Sequence, residues 1–156
     1  MVNRQLVSEL LQGHGIIPTQ QRVEIAMLML KGNQHLSADQ VLARVNQGGT
    51  AVSKATVYNT LGLFADRGII RQVIVDPTKV FYDSNATPHY HFYNVDEGTL
   101  IDFDASDLPI SNTPLPPAGT IAESIEVIVR IRNKPTLDRS TTYQHANCTS
   151  RFLRPK

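Results

Sequence analysis

Hydrophobic positions in the first third of the chain recur at helical spacing and are interrupted by turn residues. In NRQLVSELLQ, Leu6, Leu10 and Leu11 fall at that spacing, and Gly13-His14-Gly15 ends the run. PTQQRVEIAMLMLKGN sets Val23, Ala26, Met27 and Leu30 on one face, with Thr19 as N-cap and Gly32-Asn33 as the stop. SADQVLARVNQ opens with a capping box, Ser37 at N-cap and Gln40 at N3, and breaks at Gly48-Gly49. A fourth helix is predicted over VSKATVYNTLGLFADRG, capped by Ser53 and closed by Gly68. Its buried stripe is Val57, Leu61 and Phe64, while Lys54, Tyr58 and Asn59 point elsewhere. The texture then turns β-branched and aromatic: IIRQVIV and KVFYDS read as two strands about the turn DPT. Helices followed by such a hairpin predict a winged helix-turn-helix over residues 1–84.

A second region is predicted over residues 85–132. Residues 88–94 and 99–103 read as strands around Asp96-Glu97-Gly98. Pro109, Pro114, Pro116 and Pro117 exclude a helix from 104–119. SIEVIVRIR alternates, with Ile125, Val127, Val129 and Ile131 on one side and Glu126, Arg130 and Arg132 on the other. About three strands bury little alone, so self-association through this sheet is expected. Residues 133–156 hold Lys134, Arg139, Arg151, Arg154 and Lys156 against one acid, Asp138, and read as a basic, poorly ordered tail.

Composition narrows the function classes. The chain has 156 residues, 41% hydrophobic and 19% charged, as a globular protein does. Its formal net charge is +1, so contact with nucleic acid must come from a local basic patch. One cysteine, Cys148, rules out an internal disulfide and a Cys-rich zinc site, and suits a reducing cytoplasm. No apolar run approaches the roughly 20 residues of a membrane span, and the N-terminus lacks the pattern of a signal peptide.

Two groups of residues could carry chemistry. The fourth helix can serve as a recognition helix, its N-terminal half toward a major groove. Lys54 and Tyr58 lie four apart on one face; Lys54 can neutralise a phosphate, and Tyr58 can meet a thymine methyl. Asn59 can read an adenine edge, and Ser53 and Thr56 lie at the helix start. Arg22, Arg71 and Lys79 are further phosphate candidates. An amphipathic helix with a solvated polar face accounts for any one of these residues equally well.

The other group centres on TPHYHFYNVDEGTLIDF. His89 and His91 alternate on a strand and so share a face, and Asp102 returns on the next strand. Asp83 ends the hairpin upstream, and His35 precedes the third helix. Such a set suits Fe2+, Mn2+, Zn2+, Co2+ or Ni2+. If His35 and Asp83 join the other three, the ion spans both regions and couples metal affinity to DNA affinity. By spacing alone, H-x-H fits a cross-strand pair as readily as a ligand set. A metallohydrolase is disfavoured, because no spare general base stands near His89. Asp104, Asp107, Glu123 and Glu126 lack a companion histidine and read as surface acids.

The stretches PTQQR, QHLSADQV, VSKATVYNTLGLFADRGII, VFYDSN, PHYHFY and GTLIDF occur in the order of a known family and cover about residues 10–103. In them the chain resembles the ferric uptake regulator family of metal-dependent transcriptional repressors. The resemblance implies an α+β fold: an N-terminal winged helix and a small C-terminal α/β dimerisation domain. It implies a homodimer on an A/T-rich palindromic operator, with one divalent metal per subunit (Fe2+, Mn2+ or Zn2+). His35, Asp83, His89, His91 and Asp102 align with the regulatory ligands, and Tyr58 with the base-contacting tyrosine. The two C-x-x-C pairs of a structural zinc site are missing, and Asn59 stands where arginine is common. Aspartate at position 102 is the type seen in the peroxide-sensing branch, where iron sensors carry glutamate. The cysteine-free pattern is similar to that of the iron-response regulators. Tyr90 interrupts their histidine run and no Cys-Pro motif is present, which argues against haem.

Overall fold

The computed structural model describes residues 2–135. Helix α1 spans Arg4–Gly13, α2 Gln20–Met29, α3 Ala38–Gln47 and α4 Lys54–Asp66. Each begins where a side-chain oxygen accepts a backbone N–H of the first turn: Asn3 for α1, Thr19 for α2, Ser37 for α3 and Ser53 for α4. Each such cap contributes about 1 kcal/mol. The Ser37–Gln40 capping box is present in both directions. Gly68, at φ 71°, takes the left-handed position that closes α4.

The helices surround α2, which is buried on two sides. Ile25, Ala26 and Met29 are inaccessible, with Val23 beside them, whereas Met27 and Leu30 are only half-buried. Of the predicted face, Val23 and Ala26 are buried and Met27 and Leu30 pack at its margin; the buried side is wider than predicted and extends to Ile25 and Met29, because α1, α3 and α4 all pack on α2. In α1 the inward pair is Val7 and Leu11, and Leu6 and Leu10 are exposed. In α4, Val57, Leu61 and Phe64 are fully buried, as their spacing predicts.

Two three-stranded sheets follow. Strand β1 (His35–Leu36) pairs antiparallel with β3 (Lys79–Asp83), which pairs antiparallel with β2 (Arg71–Asp76). Strand β4 (His89–Asn94) lies between β5 (Thr99–Asp104), antiparallel, and β6 (Ile128–Ile131), parallel. β1 has no counterpart in the sequence reading, since two residues carry no periodicity. The strand predicted over 124–132 shrinks to four residues, and Ile125 is exposed. Its faces also differ from expectation. Ile128 packs inward, and Arg130 donates to the Val75 carbonyl and lies over the Tyr93 ring at 5.7 Å.

The second part contains no α-helix among the described residues, only a 3-10 turn at Ala105–Asp107, so its expected α/β character is a sheet alone. Tyr82 and Val80 face the helices. Val73, Val75 and Phe81 face the other way and pack against Tyr93 and Leu100 of the second sheet. The wing is thus the shared wall of two cores. The segment beyond residue 135, where most of the basic tail falls, lies outside the described residues.

Candidate metal centre and nucleic-acid face

The wall between the two sheets is apolar except at one end. There the register sets His35 opposite Asp83 and His91 opposite Asp102. Alternation along β4 turns His89 and His91 toward the wing, and Asp83 faces them from β3. Asp83 is fully buried, and the side chains of His89 and His91 are nearly so.

One ligand atom each from His35, Asp83, His89 and His91 lies within 4.8 Å of every other. Asp102 completes the ring: its Oδ1 is 2.8 Å from His35 Nε2, 3.7 Å from His89 Nε2 and 3.5 Å from His91 Nε2. Asp83 Oδ2 is 2.9 Å from His89 Nε2 and 3.7 Å from His91 Nε2. Donors on metal bonds of about 2.1 Å sit roughly 3.0–3.4 Å from one another, and the observed distances scatter about that range.

Hydrogen bonding separates a ligand ring from an ordinary polar cluster. His35 Nε2, Asp83 Oδ2 and Asp102 Oδ1 are buried and have no hydrogen-bond partner, although His35 and Asp102 approach to 2.8 Å. The approach lacks hydrogen-bond geometry. His89 Nδ1 donates to the Thr87 carbonyl at 2.7 Å, which leaves its Nε2 unprotonated in the neutral ring and 3.0 Å from His91 Nε2. Orphaned buried atoms of this kind cost about 1–3 kcal/mol each, a cost that a cation among them removes. The residues present therefore fit a divalent cation with three nitrogen and two oxygen donors.

Burial lowers the His35 pKa and outweighs the opposing charges of Asp102 and Asp83. Burial acts to raise the Asp83 pKa, but the close approach of His91, the bond from the Asn85 backbone N–H and the nearby His35 and His89 hold it below the usual carboxylate range. Both directions favour the forms that bind a metal, a neutral imidazole and a carboxylate.

The sequence reading missed Asn85. It is buried, its backbone N–H donates to Asp83 Oδ1 at 2.7 Å, and its Nδ2 donates to Asp102 Oδ2 at 2.8 Å. The available signals were the turn-forming Ser-Asn-Ala-Thr after β3 and the place of Asn85 at the end of the family stretch VFYDSN. Ser84 also went unnoticed; its hydroxyl donates to the Gly32 carbonyl and accepts from Gln34 N–H, tying the segment before His35 to the end of β3.

The residues singled out for DNA fall into two sets. Ser53, Lys54, Tyr58 and Asn59 are exposed along the start of α4, with Lys54 Nζ 5.4 Å from the Tyr58 ring centre and 3.0 Å from Asp39. Thr56 is half-buried and hydrogen-bonds Ser53 through its hydroxyl. The other set is engaged within the fold. Arg22 donates to the Ile17 carbonyl, Arg71 to the Ala86 carbonyl and Lys79 to the Tyr93 hydroxyl at 3.1 Å.

With this geometry in place, comparison with known proteins is informative. The Peroxide-responsive repressor PerR of Staphylococcus aureus (strain Mu50 / ATCC 700699) is 30% identical over 94 residues, 60% of this chain. The matched stretch spans 64% of that relative's length. A ferric uptake regulator from Francisella tularensis, solved with iron, superposes with a TM-score of 0.63 at 27% identity, covering 74% of this chain and 90% of that one. The Pseudomonas aeruginosa ferric uptake regulator, solved with manganese, gives a TM-score of 0.63 at 24% identity, covering 83% and 98%. The family model described as Ferric uptake regulator family matches residues 14–113, and the chain belongs to that family.

Proposed function

We propose that this protein is a metal-responsive DNA-binding transcriptional repressor in which a divalent cation, held between its two parts, sets the DNA-competent form. The observation that carries this reading is the ring of His35, Asp83, His89, His91 and Asp102, with three of its atoms buried and unpartnered. His35 and Asp83 come from the winged-helix part (residues 1–84) and the other three from the second part (residues 85–132). A bound cation supplies the positive charge that allows these donors to close together. Around it, the chain's own residues fix the angle between the recognition helix and the second sheet.

Homodimerisation is part of the proposal. The outer face of the second sheet carries Tyr90, Phe92 and Phe103 in ring contact, with Ile101 exposed beside them. In a two-fold dimer the inter-part angle becomes the spacing between two α4 helices on a palindromic, A/T-rich operator. Lys54, Tyr58, Asn59, Ser53 and Thr56 are the proposed contacts on α4. Arg22 and Lys79 reach phosphates only after leaving their present partners.

A constitutive DNA binder with a degenerate metal site is the other reading, and the completeness of the ring disfavours it. A gel shift decides between them. The duplex is one selected by the protein from a random library in the presence of Mn2+. Chelation is expected to release it, whereas retention after chelation means constitutive binding. Asp102 and the similarity to a peroxide-responsive repressor support genes of peroxide stress as targets, with iron homeostasis the other class. Peroxide treatment with Fe2+ present is then expected to add one oxygen atom to His35 or His89, read by peptide mass spectrometry; unmodified histidines contradict the peroxide assignment.

A further inference from the structure

We infer that Asn85 is a positioning residue that makes Asp102 a one-oxygen donor and locks both carboxylates of the centre to the His89 arm. The inference rests on the metal-centre reading above. Asn85 touches three of the five groups directly or through one link. Its Nδ2 occupies Asp102 Oδ2 at 2.8 Å, leaving Oδ1 to face the imidazoles. Its backbone N–H occupies Asp83 Oδ1 at 2.7 Å, leaving Oδ2 to face His89 and His91. Its Oδ1 accepts from Thr87 N–H at 3.1 Å and from the Thr87 hydroxyl at 2.7 Å, and the Thr87 carbonyl in turn accepts from His89 Nδ1.

The role requires an amide. The turn around residue 87 needs only an acceptor, which serine or aspartate also supplies. A donor toward Asp102 at the same time needs the second terminus of an amide. With Oδ2 engaged, Asp102 turns Oδ1 alone toward the imidazoles, so it enters the centre through one oxygen. Asp83 belongs to the first sheet and Asp102 to the second, so the backbone N–H and the side chain of Asn85 together tie one carboxylate from each sheet to a single residue.

The test uses Co2+ as probe, with affinity from competition against a chromophoric chelator and coordination from the visible absorption. The proteins are the wild type, Asn85→Ala, Asn85→Ser, Asp102→Ala and the Asn85→Ala/Asp102→Ala double variant, each with far-ultraviolet circular dichroism as a check of folding. Asn85→Ala and Asn85→Ser are expected to weaken binding about 10–100-fold. Asn85→Ser keeps a turn acceptor and carries the comparison if Asn85→Ala does not fold. The visible band of the single variants should lose intensity, as a freed carboxylate raises the coordination number. In the Asp102→Ala background, Asn85→Ala should have a clearly smaller effect than in the wild type, the remainder being loss of the Thr87–His89 support. Wild-type affinity in Asn85→Ser, or full additivity in the double variant, overturns the inference while leaving the metal centre standing. Wild-type affinity in Asp102→Ala overturns the centre itself, and this inference with it.

Discussion

At the residue scale, the Asp83 carboxylate has no solvent access and three imidazoles around it. Its removal is correspondingly costly. Asp83→Ala is expected to reduce Mn2+ affinity by at least about 100-fold, measured by calorimetric titration, since a side chain that would touch the ion should matter more than the 10–100-fold of a supporting partner. An unchanged affinity would exclude Asp83 from the centre. Proton linkage acts in the same direction. His35 and Asp83 both titrate below their ordinary values in the fold. Each therefore contributes stability that is present above its unfolded pKa, near 6.5 for histidine and 3.9 for aspartate, and is lost as pH falls through the lower folded value. Thermal melts of the metal-free protein should fall progressively from pH 6.5 downward, whereas a melting temperature flat to pH 4 would contradict these directions. Much of this chemistry was legible in the sequence: H-x-H on a strand gives a shared face, and the family motifs supply its partners. Asn85 was not legible, because its role depends on Asp102 coming within 2.8 Å from 17 residues further along the chain.

At the element scale, α4 combines a buried stripe with an exposed start. The stripe bears on stability: Phe64→Ala removes an inaccessible ring and is expected to cost about 3–5 kcal/mol in denaturant unfolding. The exposed start bears on DNA. Tyr58→Ala leaves that stripe intact, so stability should stay within about 0.5 kcal/mol while operator affinity falls roughly 10-fold or more, as loss of a base contact worth about 1–3 kcal/mol requires. Equal DNA affinity would remove Tyr58 from the interface. The caps explain why the helices were readable in advance: Thr19, Ser37 and Ser53 announce starts through local hydrogen bonds that need no tertiary partner. β1 and the inward face of β6 were unreadable for the converse reason. His35–Leu36 is a strand only because β3 lies beside it, and Arg130 turns inward only because the Val75 carbonyl and Tyr93 ring are there to receive it.

At the scale of the whole molecule, the two parts share the wing as a common wall, with an apolar seam at one end and five potential ligands at the other. The seam joins the parts through apolar contact; in the proposed function a cation would add a second joint, whose loss would change their angle. The aromatic face of Tyr90, Phe92 and Phe103 points away from this joint. A charge at its centre, Phe92→Glu, should therefore yield monomers in sedimentation velocity with metal binding retained, and persistent dimers would place the interface elsewhere. The central claim is that metal occupancy and DNA affinity are one coupled equilibrium. It is tested most directly by fluorescence anisotropy of the selected operator duplex with the wild type and His89→Ala, each with Mn2+ and with chelator. Mn2+ is expected to tighten wild-type binding about 10–100-fold, within the usual range of coupling energies, and to leave His89→Ala at the chelated level. Equal wild-type affinity with and without Mn2+, or a full Mn2+ response in His89→Ala, would contradict it.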